Sequence, residues 1–378
     1  MHTQRIHFLD LLRGFAVVVM VLGHSIDAVL SPGARTSELF RLYDAVRGFT
    51  APIFLFVSGI AFTIATEKRW AEYRVFGWTT TKRVMRFLLL LAIGYTLHFP
   101  FFSLSKLLHE TTPAEYAGFF QVDVLHCLAV SLLLLQGIVL VARTPRAFAV
   151  TASLAAAAAV LLAPVLWEIN VAPLVSPLLS PYFNQQQISI FPLFPFSGFL
   201  IGGAVVGHLF LTARSKNREQ EFFDWVLAAS VLAAAFGLLF DLLPMSVFPH
   251  HDYWKASPNF FLIRLGLVLL LTCVFGHLRR VPPHLTRHVV ILGQASLLVY
   301  VVHLVIVYGS AANSGLAQIL GRNLSYLQAM GVGAMVLLAM LLLVHLWNSL
   351  RERHLVPARV VQLALASSLL FLFVAKPY

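Results

Sequence analysis

A chain of 378 residues that is 59% hydrophobic and only 11% charged, with mean hydropathy +0.83, is far too apolar for an ordinary soluble domain. Runs such as 87–97 and 332–347 leave almost no polar face for water, so a single soluble core is excluded and an all-α polytopic membrane helix bundle is expected. The formal net charge of +11 is scattered over short loops and not collected on one face, which excludes nucleic acid as a partner and leaves membrane lipids as the surroundings.

The first apolar segment, 8–29, carries Arg13 and His24 with ten residues between them. On an α-helix that step turns through about 1100°, three turns plus roughly 20°, so the two side chains share one face about 16 Å apart along the axis. Ionisable groups are expensive in hydrocarbon and are expected to be functional or tightly paired there. Asp10 and Asp27 lie one turn outside them, and the apolar Val17 and Met20 lie between, which draws a narrow seam with polar ends. Asp10 and Arg13 interrupt the apolar core of a cleavable signal peptide, and SPGAR offers no small-x-small cleavage site, so this segment is expected to remain as a helix.

Ten further spans of roughly 20 residues follow: 47–66, 84–104, 119–141, 147–168, 191–211, 225–243, 258–277, 289–309, 327–349 and 358–375. About 10–11 transmembrane helices are thus expected, within one membrane domain over 1–378. If the N-terminus is cytoplasmic, the inner side receives 18 of the 27 Lys and Arg, the outer side eight, and Arg13 stays inside the membrane. This bias favours an inner N-terminus, as in a bacterial cytoplasmic membrane. The loop 169–190, Pro-rich and uncharged, carries Asn184, Gln185, Gln186 and Gln187; it is either an irregular connection or a cap over a cavity or sugar. Cys127 and Cys273 fall inside spans and are expected as buried apolar fillers.

The outer half of such a bundle gathers the remaining expensive groups. His24 and Asp27 end the first span, His98 ends the third, Asp123 and His126 open the fourth, and His303 lies deep in the ninth beside Tyr300. General acid–base chemistry needs a group that titrates near neutrality, and a histidine oriented by a carboxylate meets that need. His24 with Asp27 or Asp123 is the preferred pair. Each candidate has a structural alternative: an ion pair of Asp10 with Arg13, a local helical pair of Asp123 with His126, a packing role for His303. No tight metal-ligand motif occurs, so no metal is expected.

Three features in order resemble the transmembrane acyltransferase superfamily: Arg-x10-His in the first helix, RGFTAPIFLFVSGIAF in the second, and Arg83-x-x-Arg86 in the following loop. Within it, FPLFPFSGFLIGGAVVG at 191–207 and LGQASLLVYVVHL at 292–304 are most similar to bacterial relatives of heparan-α-glucosaminide N-acetyltransferase. The Arg-x10-His and Arg-x-x-Arg pair is also shared with the acyltransferase-3 family. The resemblance implies an acyl group, most simply acetyl, brought by acyl-coenzyme A from the cytoplasm to a glycan or similar polar acceptor on the far side. Lys82, Arg83 and Arg86 would supply a cationic fork for the coenzyme A phosphates, although loop statistics alone also demand basic residues there.

Under that reading Arg13, His24, Asp27, Asp123 and His303 are the catalytic candidates, and a homodimer is among the assemblies such a bundle allows. One departure limits the likeness: the resemblance would place an active histidine in the outer loop after the first helix, and 31–46 contains none. The competing class is a transporter or flippase, whose mark is broken helices at matching positions of two inverted halves. A non-catalytic scaffold explains the architecture but not the polar ends of the seam.

Overall fold

The computed structural model describes residues 6–376 apart from 177, 187, 244–247, 250, 279–280, 354–359, 361–363, 365–366 and 369. The chain runs through α1 (His7–Val29), α2 (Glu38–Arg47), α3 (Thr50–Glu67), α4 (Trp70–Tyr73), α5 (Trp78–Leu97), α6 (Leu104–His109), α7 (Pro113–Phe119), α8 (Val124–Val141) and α9 (Pro145–Leu161). It continues with α10 (Ala163–Glu168), α11 (Leu193–Ser215), α12 (Glu219–Asp241), α13 (Tyr253–Ala256), α14 (Pro258–Leu278), α15 (Pro283–Gln294) and α16 (Ser296–Tyr308). A two-residue hairpin, β1 (Gly309–Ser310) and β2 (Asn313–Ser314), precedes α17 (Leu316–Leu320) and α18 (Tyr326–Arg353).

Seven helices among the described residues are long and apolar enough to cross a membrane, or eight if the bent pair His284–Gln294 and Ser296–Tyr308 counts as one span. The protein is an all-α polytopic membrane bundle. The difference from eleven spans has local causes. Three cations, Lys82, Arg83 and Arg86, lie in the first half of α5; the span at 147–168 breaks at Leu162 into α9 and the Pro-started α10; and 358–375 is interrupted by residues outside the described ones. Gln187, Arg279 and Arg280 also lie outside them.

The chain folds into two compact units. One comprises Met1–Leu12, Ala51–Thr96 and Phe120–Arg280. Its helices meet through small residues, because in lipid close backbone approach replaces the hydrophobic drive. A Cβ on Gly59 would lie 1.9 Å from the Leu200 carbonyl oxygen, and one on Gly203 2.1 Å from that of Phe56, so α3 and α11 touch backbone to backbone. Aromatic edges fill the space beside them, with Phe8 centred 5.4 Å from Phe210 and 5.5 Å from Phe223. Cys127 and Cys273 are free and buried, as the sequence suggests.

The second unit comprises Arg13–Thr50, Leu97–Phe119 and Val281–Tyr378. Its core joins α1 to α15, α16 and α18 through Val17, Val21, Leu292, Val299, Val336 and Met340. Val17, in the middle of the predicted seam, is wholly enclosed by this packing. The chain after α1 is tied to the segment before α18 by backbone bonds, Ser31 N–H donating to Leu324 O and Leu324 N–H to Val29 O, each at 3.0 Å.

The close α3–α11 crossing is testable. Gly203→Ala should lower the melting temperature of the detergent-solubilised protein, since overpacking of this kind costs about 1–3 kcal/mol or more. An unchanged melting curve would show that the two backbones can separate freely.

Candidate active site

The residues with the most chemistry converge in the second unit, at the end of α1. His24 and Asp27 stand one turn apart there, and α2 lies across them. Ser37 starts α2 by accepting a hydrogen bond from Phe40 N–H at 3.2 Å, the usual way a hydroxyl satisfies a free helix-end donor. Helical spacing then turns Phe40, Tyr43 and Arg47 to one side. Tyr43 O–H donates to the Gly23 carbonyl at 2.8 Å. The stem of Arg47 crosses the bare Gly23, where an added Cβ would stand 3.1 Å from its Cγ.

Arg47 and Arg35 hold Asp27 between them. Arg35 Nη1 donates to Asp27 Oδ1 at 2.7 Å, and Arg47 Nη1 lies 3.1 Å from Asp27 Oδ2. Arg35 also reaches the backbone oxygens of Asp27 and Leu30, while Arg47 Nη2 donates to Asp44 at 2.5 Å. Asp27 is therefore occupied, and it does not orient His24. Instead His24 Nδ1 bonds the hydroxyl of Tyr308 at 3.0 Å, and its ring lies 5.4 Å from that of His303. His303 is completely buried, and its Nδ1 lies 2.8 Å from the Val299 carbonyl oxygen.

Among the catalytic candidates, His24, Asp27 and His303 thus come together in one place. Arg13, half-buried, stands three turns back along α1. Asp123 belongs to the other unit, where it is the N-cap of α8. Its Oδ1 accepts from Leu125 N–H at 2.8 Å and His126 N–H at 3.2 Å and lies 2.7 Å from His126 Nδ1. This is the local helical pair that the i, i+3 spacing allowed. The ring of Tyr95 meets His126 edge-on at 4.3 Å, and its hydroxyl bonds Tyr182 at 3.0 Å. Burial, and then this bond, push the Tyr182 hydroxyl above the usual phenol range, so it stays protonated at neutral pH.

The basic trio on α5 divides. Arg83 is buried, with Nη2 donating to Phe62 O at 3.1 Å and Thr66 Oγ1 at 2.7 Å, and Nη1 to Gln136 Oε1 at 3.3 Å. Its guanidinium carbon lies 4.1 Å from the Phe62 ring centre and 4.0 Å from that of Tyr73. Lys82 and Arg86, four residues apart and so on one helix face, remain exposed, with Lys82 over Trp78 at 4.7 Å. The loop 169–190 is folded against its own unit, where the buried Asn184 donates to Leu166 O at 2.8 Å and Ile169 O at 3.0 Å.

Sequence reasoning overlooked Tyr308, Arg35, Arg47 and Tyr43. The Ser37 cap and the Phe40, Tyr43, Arg47 spacing were signals for α2 and its inward face. Nothing local in the sequence points to Tyr308.

The site thus brings a buried imidazole against a second one inside an apolar unit. A family model described as heparan-alpha-glucosaminide N-acetyltransferase, catalytic, matches residues 5–238. The chain belongs to that family, and its class is a membrane acetyltransferase. The match includes His24 and Asp27 but ends before His303 and Tyr308. No curated relative matches the chain.

Arg83→Ala should destabilise the protein by roughly 2–4 kcal/mol, because it removes charge-assisted bonds from a buried site. Lys82→Ala and Arg86→Ala should leave the melting temperature unchanged. Equal effects at all three positions would refute the division of the trio.

Proposed function

We propose that the protein transfers an acyl group, most simply acetyl, from cytoplasmic acyl-coenzyme A to a hydroxyl or amine of a glycan or similar acceptor on the outer side of a bacterial inner membrane. The observation that carries this reading is the His24–His303 pair at the end of a membrane helix, bonded through His24 to Tyr308. A thioester has a ready leaving group, so transfer needs an oriented acceptor, a proton acceptor and a donor for the carbonyl oxygen, all of which imidazoles can provide. The exposed Lys82 and Arg86 are the members of the basic trio suited to the coenzyme A phosphates, while Arg83 braces the helix that carries them. Arg13 anchors α1, and Asp27 fixes α2 over the end of that helix.

A transporter or flippase is the second reading, favoured by the 73° break between His284–Gln294 and Ser296–Tyr308. Donor binding separates the two. Purified protein in detergent should be stabilised against heat by acetyl-coenzyme A and by coenzyme A, and Lys82→Ala with Arg86→Ala should weaken that effect about tenfold or more in ligand concentration. His24→Ala should abolish acetylation of D-glucosamine by acetyl-coenzyme A while the protein elutes as wild type. Absence of stabilisation by either ligand would refute the acyl-coenzyme A reading.

A further inference from the structure

The two histidines of the site are not equivalent, and their hydrogen bonds distinguish them. A neutral imidazole has one nitrogen that donates and one that accepts, and the partner of either nitrogen decides which is which. The Val299 carbonyl oxygen, 2.8 Å from His303 Nδ1, can only accept. Nδ1 of His303 therefore carries the hydrogen, and Nε2 of the neutral ring presents a lone pair. That Nε2 is buried and has no hydrogen-bond partner among the described residues.

His24 carries the opposite arrangement. Its Nδ1 faces the Tyr308 hydroxyl at 3.0 Å. A phenol O–H is a stronger donor than an imidazole N–H, and an imidazole nitrogen is a stronger acceptor than a phenol oxygen. The hydrogen thus runs from Tyr308 to His24 Nδ1, which leaves the remaining hydrogen of His24 on Nε2. A histidine base is oriented by an acceptor on its other nitrogen, which His303 has in the Val299 carbonyl, whereas Nδ1 of His24 faces a phenol and Asp27 is held by Arg35 and Arg47. The site therefore offers one donating and one accepting imidazole with ring centres 5.4 Å apart.

Resting on the acyl-transfer reading above, we propose that His303 is the proton acceptor of the reaction, that His24 donates to the developing oxyanion, and that Tyr308 is a positioning residue that sets the tautomer of His24. The acceptor's oxygen or nitrogen forms a bond to the thioester carbonyl carbon as its proton passes to His303 Nε2. The carbonyl π electrons move to the oxygen, which takes a hydrogen bond from His24 Nε2–H. When they return, the carbon–sulfur bond breaks and the thiolate leaves with the proton from His303. One acyl ester or amide and one thiol result, and both imidazoles end as they began. Burial suits this division, since a lone pair kept from water is not consumed by solvent and a fixed donor needs no reorganisation as charge develops.

Glutamine substitutions separate the roles, because a side-chain amide can donate a hydrogen bond but cannot take a proton. With acetyl-coenzyme A and D-glucosamine as probes and product followed by mass spectrometry, His24→Gln should keep about a tenth of the wild-type kcat, whereas His303→Gln should lose roughly a thousandfold. Added imidazole should restore turnover to His303→Ala and not to His24→Ala. Tyr308→Phe should lower kcat about tenfold without changing the KM for acetyl-coenzyme A. Acetyl-coenzyme A thermal shifts equal to wild type's confirm that each variant is folded. A reversed ranking of the glutamine variants, or rescue of His24→Ala by imidazole, would overturn this division while leaving acyl transfer intact. A wild-type protein that leaves acetyl-coenzyme A uncleaved with glucosamine would overturn both.

Discussion

The carboxylate of Asp27, gripped by Arg35 from one direction and Arg47 from the other, is the interaction on which the site depends. A partly buried carboxylate needs charged donors on its oxygens, and here each oxygen faces a guanidinium. Arg35 lies in the connection after α1 and Arg47 at the end of α2, so the cluster fixes that connection and helix over the end of α1. Tyr43 and the bare backbone of Gly23 complete the contact. With its carboxylate neighbour so occupied, His24 turns to Tyr308, and the chemistry becomes that of two imidazoles and a phenol.

The same demand for satisfied polar groups explains the other candidates. Arg83 is enclosed by three acceptors and two aromatic rings, which is how a cation is kept inside an apolar unit. Asp123 and His126 complete the first turn of their own helix. Asn184 closes the carbonyls at the end of α10. Arg83 and Asn184 are costly residues whose expense is met locally by their neighbours, and they brace the fold. At His303 one nitrogen is met by the Val299 carbonyl, and the other has no hydrogen-bond partner among the described residues.

Much of this was legible from composition and periodicity. The membrane class followed from hydropathy, and α1 with its His24 and Asp27 followed from helical spacing alone. The shift of Arg83 from the exposed side to the interior did not, because Lys82, Arg83 and Arg86 have the same chemistry and differ only by helical phase, whose inward direction depends on Phe62, Tyr73 and Gln136. The expected pairing of His24 with Asp27 gives way for a similar reason. Sequence distance favours a neighbour three residues away, whereas the actual partner is Tyr308, 284 residues further on. Helix α2 occupies a stretch expected as loop, because its ten residues are too few and too polar to read as a span, although Ser37 is a capping residue type.

The two halves of the site reach it by different routes. The segment that carries His24 and Asp27 lies within the stretch matched by the family model, and the segment that carries His303 and Tyr308 lies beyond it. Both nonetheless belong to one compact unit, which is assembled from three separated pieces of chain. The bend between α15 and α16 starts the helix that brings His303 in, and the hairpin after α16 ends it at Tyr308, with Gly309 adopting a φ of 81° that a side chain would resist. Asn313 of that hairpin returns a hydrogen bond to the Val305 carbonyl at 3.1 Å, which closes the end of α16. Tyr308 is therefore placed by the way its helix stops. A donor that must hold one tautomer of a neighbouring ring has to be placed this firmly, since a freely turning phenol would let either hydrogen-bond direction occur and would leave His24 without a defined role.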